Sequence, residues 1–414
     1  MTQVDIVIVG GGLVGASLAV ALAPSGKRVA LIEAAAPPES TPSWDEREIA
    51  LNVVSQRIYA RLGLWERLAI EATPIRATHI SERGRFGVAR FTAEEAGEPA
   101  LGWNVPVRAL GGVLWQKLAE LPNVTVICPA RVEGLEAEDG GVRLRVIPGP
   151  GVVPTPGVVP GPGVIPSEAR DLRAHLVVAC DGAQSAIRKA LDIGAQERDY
   201  EQTAIVSAVR PERPHRGIAY ERFLPGGPIA LIPKPHDRCG LIWTVPTTAA
   251  ATMLAWSDAE FLAHLQESFG TRLGRFLEVG RRNGHPLTRV LSDALTAPRV
   301  ILAGNAAQTL HPIAAQGFNL GLRDVATVAE LAGPALDPGA AEVLAGYEAR
   351  RRAERDTVSG FTDGLVRIFS NRIAGLAQAR HWGLLALDLL PPVKQAVMRQ
   401  NLGFAGGTPA AARK

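Results

Sequence analysis

The N-terminal segment consists of two short apolar runs separated by a glycine turn and a run of small residues. Residues Ile6–Val9 and Val29–Ile32 are aliphatic throughout, which is typical of parallel strands covered by helices on both faces. Alanines and leucines between Gly15 and Ala23 predict a helix, and Gly26 is placed to end it. The pattern therefore predicts a β-α-β unit at the start of the sequence.

Short β-type runs broken by proline and glycine follow in the middle of the chain. They are Ala204–Val209, Ile229–Ile232 and Cys239–Val245, and they predict a mixed or antiparallel sheet in a second, inserted domain. A helical pattern comes next at Ser257–Phe269. The apolar run Val300–Ala303 then predicts a return to the parallel sheet, and helical patterns predominate after it.

A proline- and glycine-rich stretch interrupts this organisation. The unit PGVVP or PGVIP occurs three times between Pro148 and Pro166. Because proline cannot donate to a ladder, we expect a surface loop that lengthens the hairpin formed by strands Arg143–Ile147 and Leu176–Ala179. We interpret the stretch as a passive insertion; a proline-rich ligand for a partner is the alternative.

Composition and charge exclude several classes of protein. The 414 residues are 47% hydrophobic and 21% charged, which excludes global disorder. A net charge of +3 is too small for a nucleic-acid binder. Three cysteines without a C-x-x-C pair predict neither a disulfide framework nor a thiolate metal site, and we expect no metal. Without an export signal or a run of about 20 apolar residues, a cytoplasmic protein is expected.

The strongest local signal is the motif Gly10-x-Gly12-x-x-Gly15, which encloses Leu13 and Val14. Gly10 permits the tight turn out of the strand, Gly12 lets a pyrophosphate approach the backbone, and Gly15 lets helix and strand pack closely. The free N–H groups at the helix N-terminus favour a bound diphosphate. The motif, including Leu13 and Val14, is therefore predicted to bind a dinucleotide.

Glu33 lies at the end of the second predicted strand, where a carboxylate accepts hydrogen bonds from ribose hydroxyls. Its negative charge would repel a 2′-phosphate, so the bound nucleotide is predicted to be the ADP half of FAD or NAD. The glycine motif and Glu33 do not distinguish these two cofactors.

A second motif, C180-D-G-A-Q-S-A-I-R188, follows the apolar strand Leu176–Ala179. It resembles the D-G-x-x-S-x-x-R element of the aromatic flavoprotein monooxygenases that share the p-hydroxybenzoate hydroxylase fold. The resemblance implies that Asp181, Gly182 and Arg188 contact FAD and the passing NAD(P)H. We expect Asp181 and Arg188 to pair and so to hold a tight turn.

A third motif, GNAAQTLHPIAAQGFNLG, begins at Gly304 and resembles the element that holds the ribityl chain of the flavin in this family. Asn305 stands where most members carry aspartate. Pro312 is implied to lie against the isoalloxazine. Gly317, Phe318 and Asn319 begin a helix whose N–H groups would stabilise negative charge on the reduced ring. The flavin-adjacent candidates are His311, Pro312 and Gly317; for His311 we expect packing or backbone capping rather than base catalysis.

The third motif, together with QGFNLGLRD, resembles the ubiquinone-biosynthesis hydroxylases, in particular the 2-octaprenyl-6-methoxyphenol hydroxylase subgroup. The run Asp45-x-Arg47 is also typical of that group, and it implies that Arg47 lies near the flavin. Arg108 stands where the family often places a diphosphate contact.

The resemblance implies an α/β fold: a Rossmann-like FAD-binding domain of the GR2 type, an inserted β-rich substrate domain and C-terminal helices. The expected FAD-binding segments are 1–75, 104–195 (with the insertion at 148–170) and 291–345. The expected substrate-domain segments are 76–103 and 196–290, and a helical region covers 346–414. The arginines of that region, Arg350–Arg352 and Arg355, are predicted to form a solvated helix face.

The activity implied is an FAD- and NAD(P)H-dependent monooxygenase. O2 would form a flavin C4a-hydroperoxide that hydroxylates a polyprenylated phenol in ubiquinone biosynthesis. Since the sequence has no second glycine motif, NAD(P)H is expected to bind transiently. The alternatives are a hydroxylase of another aromatic substrate, or a non-catalytic flavoprotein scaffold in a quinone-synthesis complex.

The implied substrate also predicts partners. Each buried CH2 group contributes about 0.8 kcal/mol, so a polyprenyl tail stays in lipid and the enzyme meets it at the membrane surface. Other ubiquinone-biosynthesis proteins are expected partners. A candidate contact segment is Ile373–Leu390, whose apolar residues follow helical spacing among basic ones; core packing is its alternative.

Overall fold

The computed structural model describes residues 2–35, 47–85, 87–149, 164–165, 169–369, 390–404, 409 and 412. Its strands are β1 (Thr2–Val9), β2 (Val29–Ile32), β3 (Glu48–Asn52), β4 (Thr73–Ile75), β5 (Ala77–Glu82), β6 (Val88–Thr92), β7 (Gly102–Pro106), β8 (Val124–Ile127), β9 (Ala130–Glu138), β10 (Gly141–Pro148), β11 (Val164–Ile165), β12 (Arg170–Ala179), β13 (Ala195–Pro211), β14 (Ile218–Phe223), β15 (Ile229–Pro233), β16 (Cys239–Pro246), β17 (Phe276–Val279), β18 (Asn283–Ser292), β19 (Thr296–Ala297), β20 (Val300–Leu302) and β21 (Gln308–Thr309). Its α-helices are α1 (Leu13–Leu22), α2 (Val53–Arg61), α3 (Trp65–Ala69), α4 (Ala93–Ala96), α5 (Val107–Ala119), α6 (Ala186–Ala190), α7 (Thr247–Ala255), α8 (Asp258–Phe269), α9 (Gln316–Ala332), α10 (Ala341–Phe369) and α11 (Pro391–Leu402).

The first sheet contains the predicted β-α-β unit, which the structure confirms as β1, α1 and β2. Its strand order is β11-β8-β2-β1-β12-β10-β9, with β20 pairing with β12 and β19 with β20. Strands β8, β2, β1, β12 and β20 run parallel. Their aliphatic side chains form a large buried core with the helices, because both faces of such a sheet are covered.

The strands that flank the proline-rich stretch belong to this sheet. The flanking strands are confirmed, since β10 and β12 contain them and pair antiparallel. The prediction that the stretch forms no ladder is wrong at Val164–Ile165, where β11 pairs in parallel with β8. An edge strand needs only one ladder, so neighbouring prolines do not prevent it. Residues 150–163 and 166–168 lie outside the described residues.

The second sheet is mainly antiparallel, with the order β21-β18-β13-β16-β15-β14-β5-β6 and β17 beside β13; only β14 and β5 pair in parallel among these neighbours. The predicted runs of the middle segment fall within β13, β15 and β16. Helices α7 and α8 cover one face, where Phe261 and Leu265 pack with Leu241 and Trp243. The other face is left to form the wall of a cavity.

A third, three-stranded sheet (β3-β7-β4) and the helices α10 and α11 complete the described fold. In the described part, no helix is both long enough and apolar enough to cross a bilayer. Almost all of the candidate contact segment Ile373–Leu390 lies outside the described residues. The domain boundaries stay an interpretation; the antiparallel sheet takes its strands from residues 77–92, 195–292 and 308–309.

Candidate functional site

The three glycine-containing motifs meet at one edge of the first sheet. Strands β1, β12 and β20 are parallel neighbours, and each motif begins where one of them ends. The Cys180 amide donates to the Val9 carbonyl (2.7 Å), and the Ala303 amide donates to the Ala179 carbonyl (2.9 Å). The carboxyl ends of parallel strands are where open α/β sheets bind ligands.

Close packing joins the first motif to the second. Gly10 has a φ of +101°, and a Cβ atom there would lie 2.5 Å from the Cys180 carbonyl oxygen. A Cβ atom on Gly15 would lie 1.9 Å from the Gly10 carbonyl oxygen. Both positions therefore require glycine for packing within the protein, as the sequence predicted for Gly15.

Val14 joins the first motif to the third. A Cβ atom on Gly304, where φ is +59°, would lie 3.0 Å from the Val14 side chain. One on Gly321 of α9 would lie 3.1 Å from the same side chain. Leu13 approaches α5, since its Cδ2 atom is 3.9 Å from a Cβ built on Gly111. Their side chains thus pack within the fold, while their amides belong to the first turn of α1.

Other positions at the same edge are open. A Cβ atom on Gly12, Gly182 or Gly317 would meet no atom within 4 Å. Helices α1 and α9 have neither a side-chain cap nor an acidic residue in the first turn, so their first-turn N–H groups lack an acceptor within the described residues. Asp181 Oδ1 is buried without a hydrogen-bond partner in the described part of the chain, and Asn305 is exposed. These features fit a dinucleotide with a diphosphate and a polyhydroxylated chain.

Glu33 lies directly against the glycine motif. One carboxylate oxygen accepts from the Gly11 amide, and the other accepts from the Ala35 amide at 2.9 Å. A carboxylate has about four acceptor sites, so two remain for other donors. The structure therefore places Glu33 beside the motif, as expected, and its contact with a ribose stays a prediction.

The predicted pairing of Asp181 with Arg188 is wrong. Asp181 Oδ2 accepts from the Ile187 amide (3.1 Å), whereas Arg188 donates to the carbonyl oxygens of Ala306 (2.9 Å) and Ala183 (2.9 Å). Arg188 is only 2% exposed. Its guanidinium therefore ties the second motif to the third, and its contact with FAD or NAD(P)H stays a prediction.

Asn319 is also a positioning residue. Its Oδ1 accepts from the Asn52 amide (3.0 Å), and its Nδ2 donates to the carbonyls of Ala50 (2.9 Å) and Ala315 (2.7 Å). These bonds use its amide group to hold β3 against the start of α9. The contact expected of Asn319, through the N–H groups at the start of this helix, stays a prediction. Phe318 packs against the main core and leaves its amide in the first turn of α9.

The two other predicted arginines lie at the surface. Arg108 lies in the first turn of α5 and forms an exposed ion pair with Glu71. Arg47 is exposed, and its carbonyl oxygen accepts from the Val107 amide (3.0 Å). A diphosphate contact by Arg108 would require its guanidinium to leave Glu71, and both cofactor contacts stay predictions.

Asp324 supports the third motif and was missed from the sequence. Its Oδ2 accepts from the Gly304 amide (3.0 Å) and from Gln308 Nε2 (2.7 Å), and its Oδ1 accepts from Arg351 Nε (2.7 Å). Glu354 accepts from Arg351 and pairs with Arg323. Asp324 is the last residue of the run QGFNLGLRD, which the sequence analysis singled out. The groups that donate hydrogen bonds to a buried carboxylate are set by tertiary packing, so the sequence alone does not identify them.

This network corrects the predicted solvated face of α10. Arg351 and Arg355 are 2% and 5% exposed, while Arg350 and Arg352 are exposed. Burial and the charge of Arg351 lower the pKa of Arg323 to about 9, so Arg323 stays protonated at neutral pH. Two arginines and two carboxylates thus balance charge beneath the Gly304 motif.

A cavity of about 270 Å³ is lined in part by residues of the third motif. The open face of the second sheet forms one wall, residues 311–316 with Asn319 form the opposite wall, and side chains of α10 and α11 close the side. Most of the lining surface is apolar. The structure therefore brings Pro312 and His311 to this cavity, next to the uncapped start of α9.

His311 caps backbone, which agrees with the preferred prediction. Its Nδ1 accepts from the Ile313 amide (3.1 Å), and its ring makes an edge contact with Tyr200 at 5.0 Å between centroids. Burial lowers the pKa of His311 to about 4, so the imidazole is neutral at pH 7. With Nδ1 accepting, the proton is assigned to Nε2, which has no partner in the described part of the chain.

The sequence matches known proteins over nearly its whole length. Residues 3–362 match the family described as FAD binding domain. The chain is 38% identical over 404 residues to the ubiquinone hydroxylase UbiL of Rhodospirillum rubrum, covering 96% of this chain and 89% of that protein. It is 30% identical over 409 residues to the 3-demethoxyubiquinol 3-hydroxylase of Escherichia coli, covering 97% and 98%.

The fold is similar to solved flavoprotein structures. The p-nitrophenol 4-monooxygenase PnpA of Pseudomonas putida superposes with a TM-score of 0.77 at 19% identity, covering 97% of this chain and 99% of that one. At this identity the likeness concerns the fold alone. Together with the family match, it confirms the predicted fold class.

Proposed function

The chain belongs to the FAD binding domain family, and we propose that it is an FAD- and NAD(P)H-dependent monooxygenase that hydroxylates a polyprenylated phenol in ubiquinone biosynthesis. The observation that carries this proposal is the convergence of the Gly10–Gly15 loop, Gly182 and Gly304 at one edge of the first sheet, with the third motif continuing into the wall of an apolar cavity. The substrate class is supported by the relatives, which include ubiquinone hydroxylases aligned over nearly the full chain.

In this proposal, the first turn of α1 and the open space over Gly12 hold the diphosphate, and Glu33 holds the adenosine ribose. The exposed Asn305 and the buried Asp181 Oδ1 offer hydrogen-bonding groups to the sugar and ribityl hydroxyls. The uncapped N-terminus of α9 stabilises negative charge on the reduced ring. Glu33 keeps acceptor sites beyond its bonds to the Gly11 and Ala35 amides, and each other assignment uses a group that is open to solvent or has no partner among the described residues.

Bound FAD, once reduced by NAD(P)H, supplies the activation of O2 from which one oxygen atom is transferred to the ring. The apolar walls of the cavity orient the phenol and exclude water, which would limit the loss of activated oxygen to side reactions. His311 keeps the 311–313 turn in place through its bond to Ile313. These tasks need no metal ion and no nucleophilic side chain.

The side of the cavity suits a hydrophobic tail. Phe361 and Leu365 of α10 and Met398 of α11 line it. On the outer surface of the same two helices, Ile368 and Val393 are 43% and 45% exposed. This arrangement supports a route from the cavity to a lipid surface, where a polyprenyl tail remains.

The position of Asn305 gives a first prediction. Asn305→Asp should keep FAD affinity within about tenfold of wild type, because a carboxylate oxygen accepts from a hydroxyl as the amide oxygen does. The added negative charge should make the flavin's midpoint potential more negative. Equilibrium binding and a reductive titration measure both effects; complete loss of FAD would remove Asn305 from the ribityl site.

Complementation tests the proposed function. The gene is expressed in bacterial strains that each lack one ubiquinone ring hydroxylase, and quinone intermediates are quantified. We expect one intermediate to disappear and ubiquinone to return. Purified protein should couple NAD(P)H oxidation and O2 consumption to the gain of one oxygen atom by the phenol. Bound FAD that NAD(P)H cannot reduce would instead indicate the scaffold, and turnover of a tail-less aromatic alone would indicate another substrate.

A further inference from the structure

An acidic side chain, Glu221, lies in the mostly apolar sheet wall of the cavity. It is in the middle of β14, where Ala219, Glu221 and Phe223 alternate onto the cavity. The ladder places it opposite Ile80 of β5 and Ala230 of β15, and both of these side chains also line the cavity. Glu221 therefore belongs to the sheet wall, across the cavity from residues 311–316.

The carboxyl group of Glu221 has no hydrogen-bond or ion-pair partner in the part of the chain that the structure describes. Burial raises its pKa to about 7, and no neighbouring charge contributes to that shift. The ionisable groups nearby on β14 and β5 are Tyr220, Arg222, His79 and Glu82, while β15 has none. An unpartnered acid in an apolar wall costs free energy, which is typical of a residue that serves a ligand.

The other ionisable side chains among the described cavity-lining residues are Tyr220 and His311, and neither can accept a proton at neutral pH. Burial raises the pKa of Tyr220, so its phenol stays protonated. His311 uses Nδ1 to accept from Ile313 and has its proton on Nε2, so its ring can only donate into the cavity. Within this lining, Glu221 is left as the group able to accept a proton.

We propose that Glu221 is the base that binds the ring hydroxyl of the phenolic substrate and accepts its proton. This inference rests on the proposed function, because it assigns a role toward that substrate. In the step, the phenol O–H bond breaks and the proton passes to a carboxylate oxygen of Glu221. The electron pair of that bond stays on the phenol oxygen and increases electron density on the ring, which makes the ring carbon a better nucleophile.

The raised pKa suits this step. Phenols have a pKa near 10, so an ordinary glutamate with a pKa near 4.3 would be about six units too weak as a base. At about 7 the gap falls to roughly three units, and each unit removed makes the transfer about tenfold less unfavourable. Glu221 must be ionised to act, so the kcat/KM of the hydroxylation should rise with pH through about 7.

The test compares wild type with Glu221→Gln and Glu221→Asp, using FAD-loaded protein and a phenol carrying a short isoprenoid chain. Glu221→Gln should bind FAD and be reduced by NAD(P)H, but should hydroxylate at least about 100-fold more slowly. Its reduced flavin should react with O2 without product formation, and the rise of kcat/KM near pH 7 should be absent. Glu221→Asp, which keeps the carboxyl group, should restore both the rise and part of the rate.

Glu197→Gln is the matched control, because Glu197 is an exposed glutamate on β13 of the same sheet; it should behave as wild type. Near-normal hydroxylation by Glu221→Gln, or a wild-type kcat/KM that is flat across pH 6 to 8, would overturn the role of Glu221 alone. The second measurement needs no variant, so it decides even if Glu221→Gln does not fold. Failure of wild type to hydroxylate any prenylated phenol would instead reject the proposed function.

Discussion

Replacing Gly12 with valine is expected to leave the apoprotein folded and to abolish retention of FAD. A Cβ atom at Gly12 meets no protein atom within 4 Å, so the side chain costs the fold little. In the proposed complex, however, that space belongs to the diphosphate. Hydrogen bonds to charged groups contribute about 1.5–3 kcal/mol each. Losing two such bonds between the first turn of α1 and the diphosphate should therefore weaken FAD binding by on the order of 10²- to 10⁴-fold.

Flavin absorbance per purified chain and thermal unfolding of the FAD-free protein measure the two effects. Gly134→Val is the matched control: Gly134 lies on β9 with equally open space, and it should retain FAD. Gly15→Val should differ from both, because its Cβ atom would lie 1.9 Å from the Gly10 carbonyl oxygen and should disrupt the fold itself. A yellow Gly12→Val protein would contradict the placement of the diphosphate.

Gly12 and Gly15 show how much of the site the sequence could predict. Local patterns were enough to predict the β-α-β unit, because residues close together in the sequence determine its strands, its helix and its glycine turn. The same holds for the starts of the second and third motifs, which directly follow apolar strands. Their convergence then follows from a general rule, since adjacent parallel strands end at the same edge of a sheet.

Side-chain partners could not be predicted in this way. Arg188 bonds to the carbonyl of Ala306, which is 118 positions away, so no local pattern distinguishes this arginine from a solvated one. Arg351 was assigned to a solvated face for the same reason, yet it pairs with Asp324. Glu221 was missed because a single acidic residue in a short strand is equally compatible with a solvent-facing position and with a cavity-facing one.

Asp324→Asn is expected to lower the free energy of unfolding by about 3–5 kcal/mol. Removing one partner of a buried ion pair leaves an uncompensated charge, and here Arg323 and Arg351 would share only Glu354. The amide also has one oxygen where the carboxylate had two. It therefore cannot accept from Arg351 on one side and from Gly304 and Gln308 on the other.

The consequence should extend to the cofactor, because the Gly304 amide would lose the acceptor that holds the third motif beside Val14. Denaturant unfolding of FAD-free and FAD-loaded protein measures the stability, and the difference between them reports the cofactor's contribution. Asp192→Asn makes the same chemical change at an exposed residue with a φ of +52°, which asparagine also tolerates, and should shift stability by less than about 0.5 kcal/mol. If Asp324→Asn unfolds within about 1 kcal/mol of wild type and keeps its FAD, the buried charges do not hold the Gly304 motif, and close packing of Val14 against Gly304 and Gly321 must suffice.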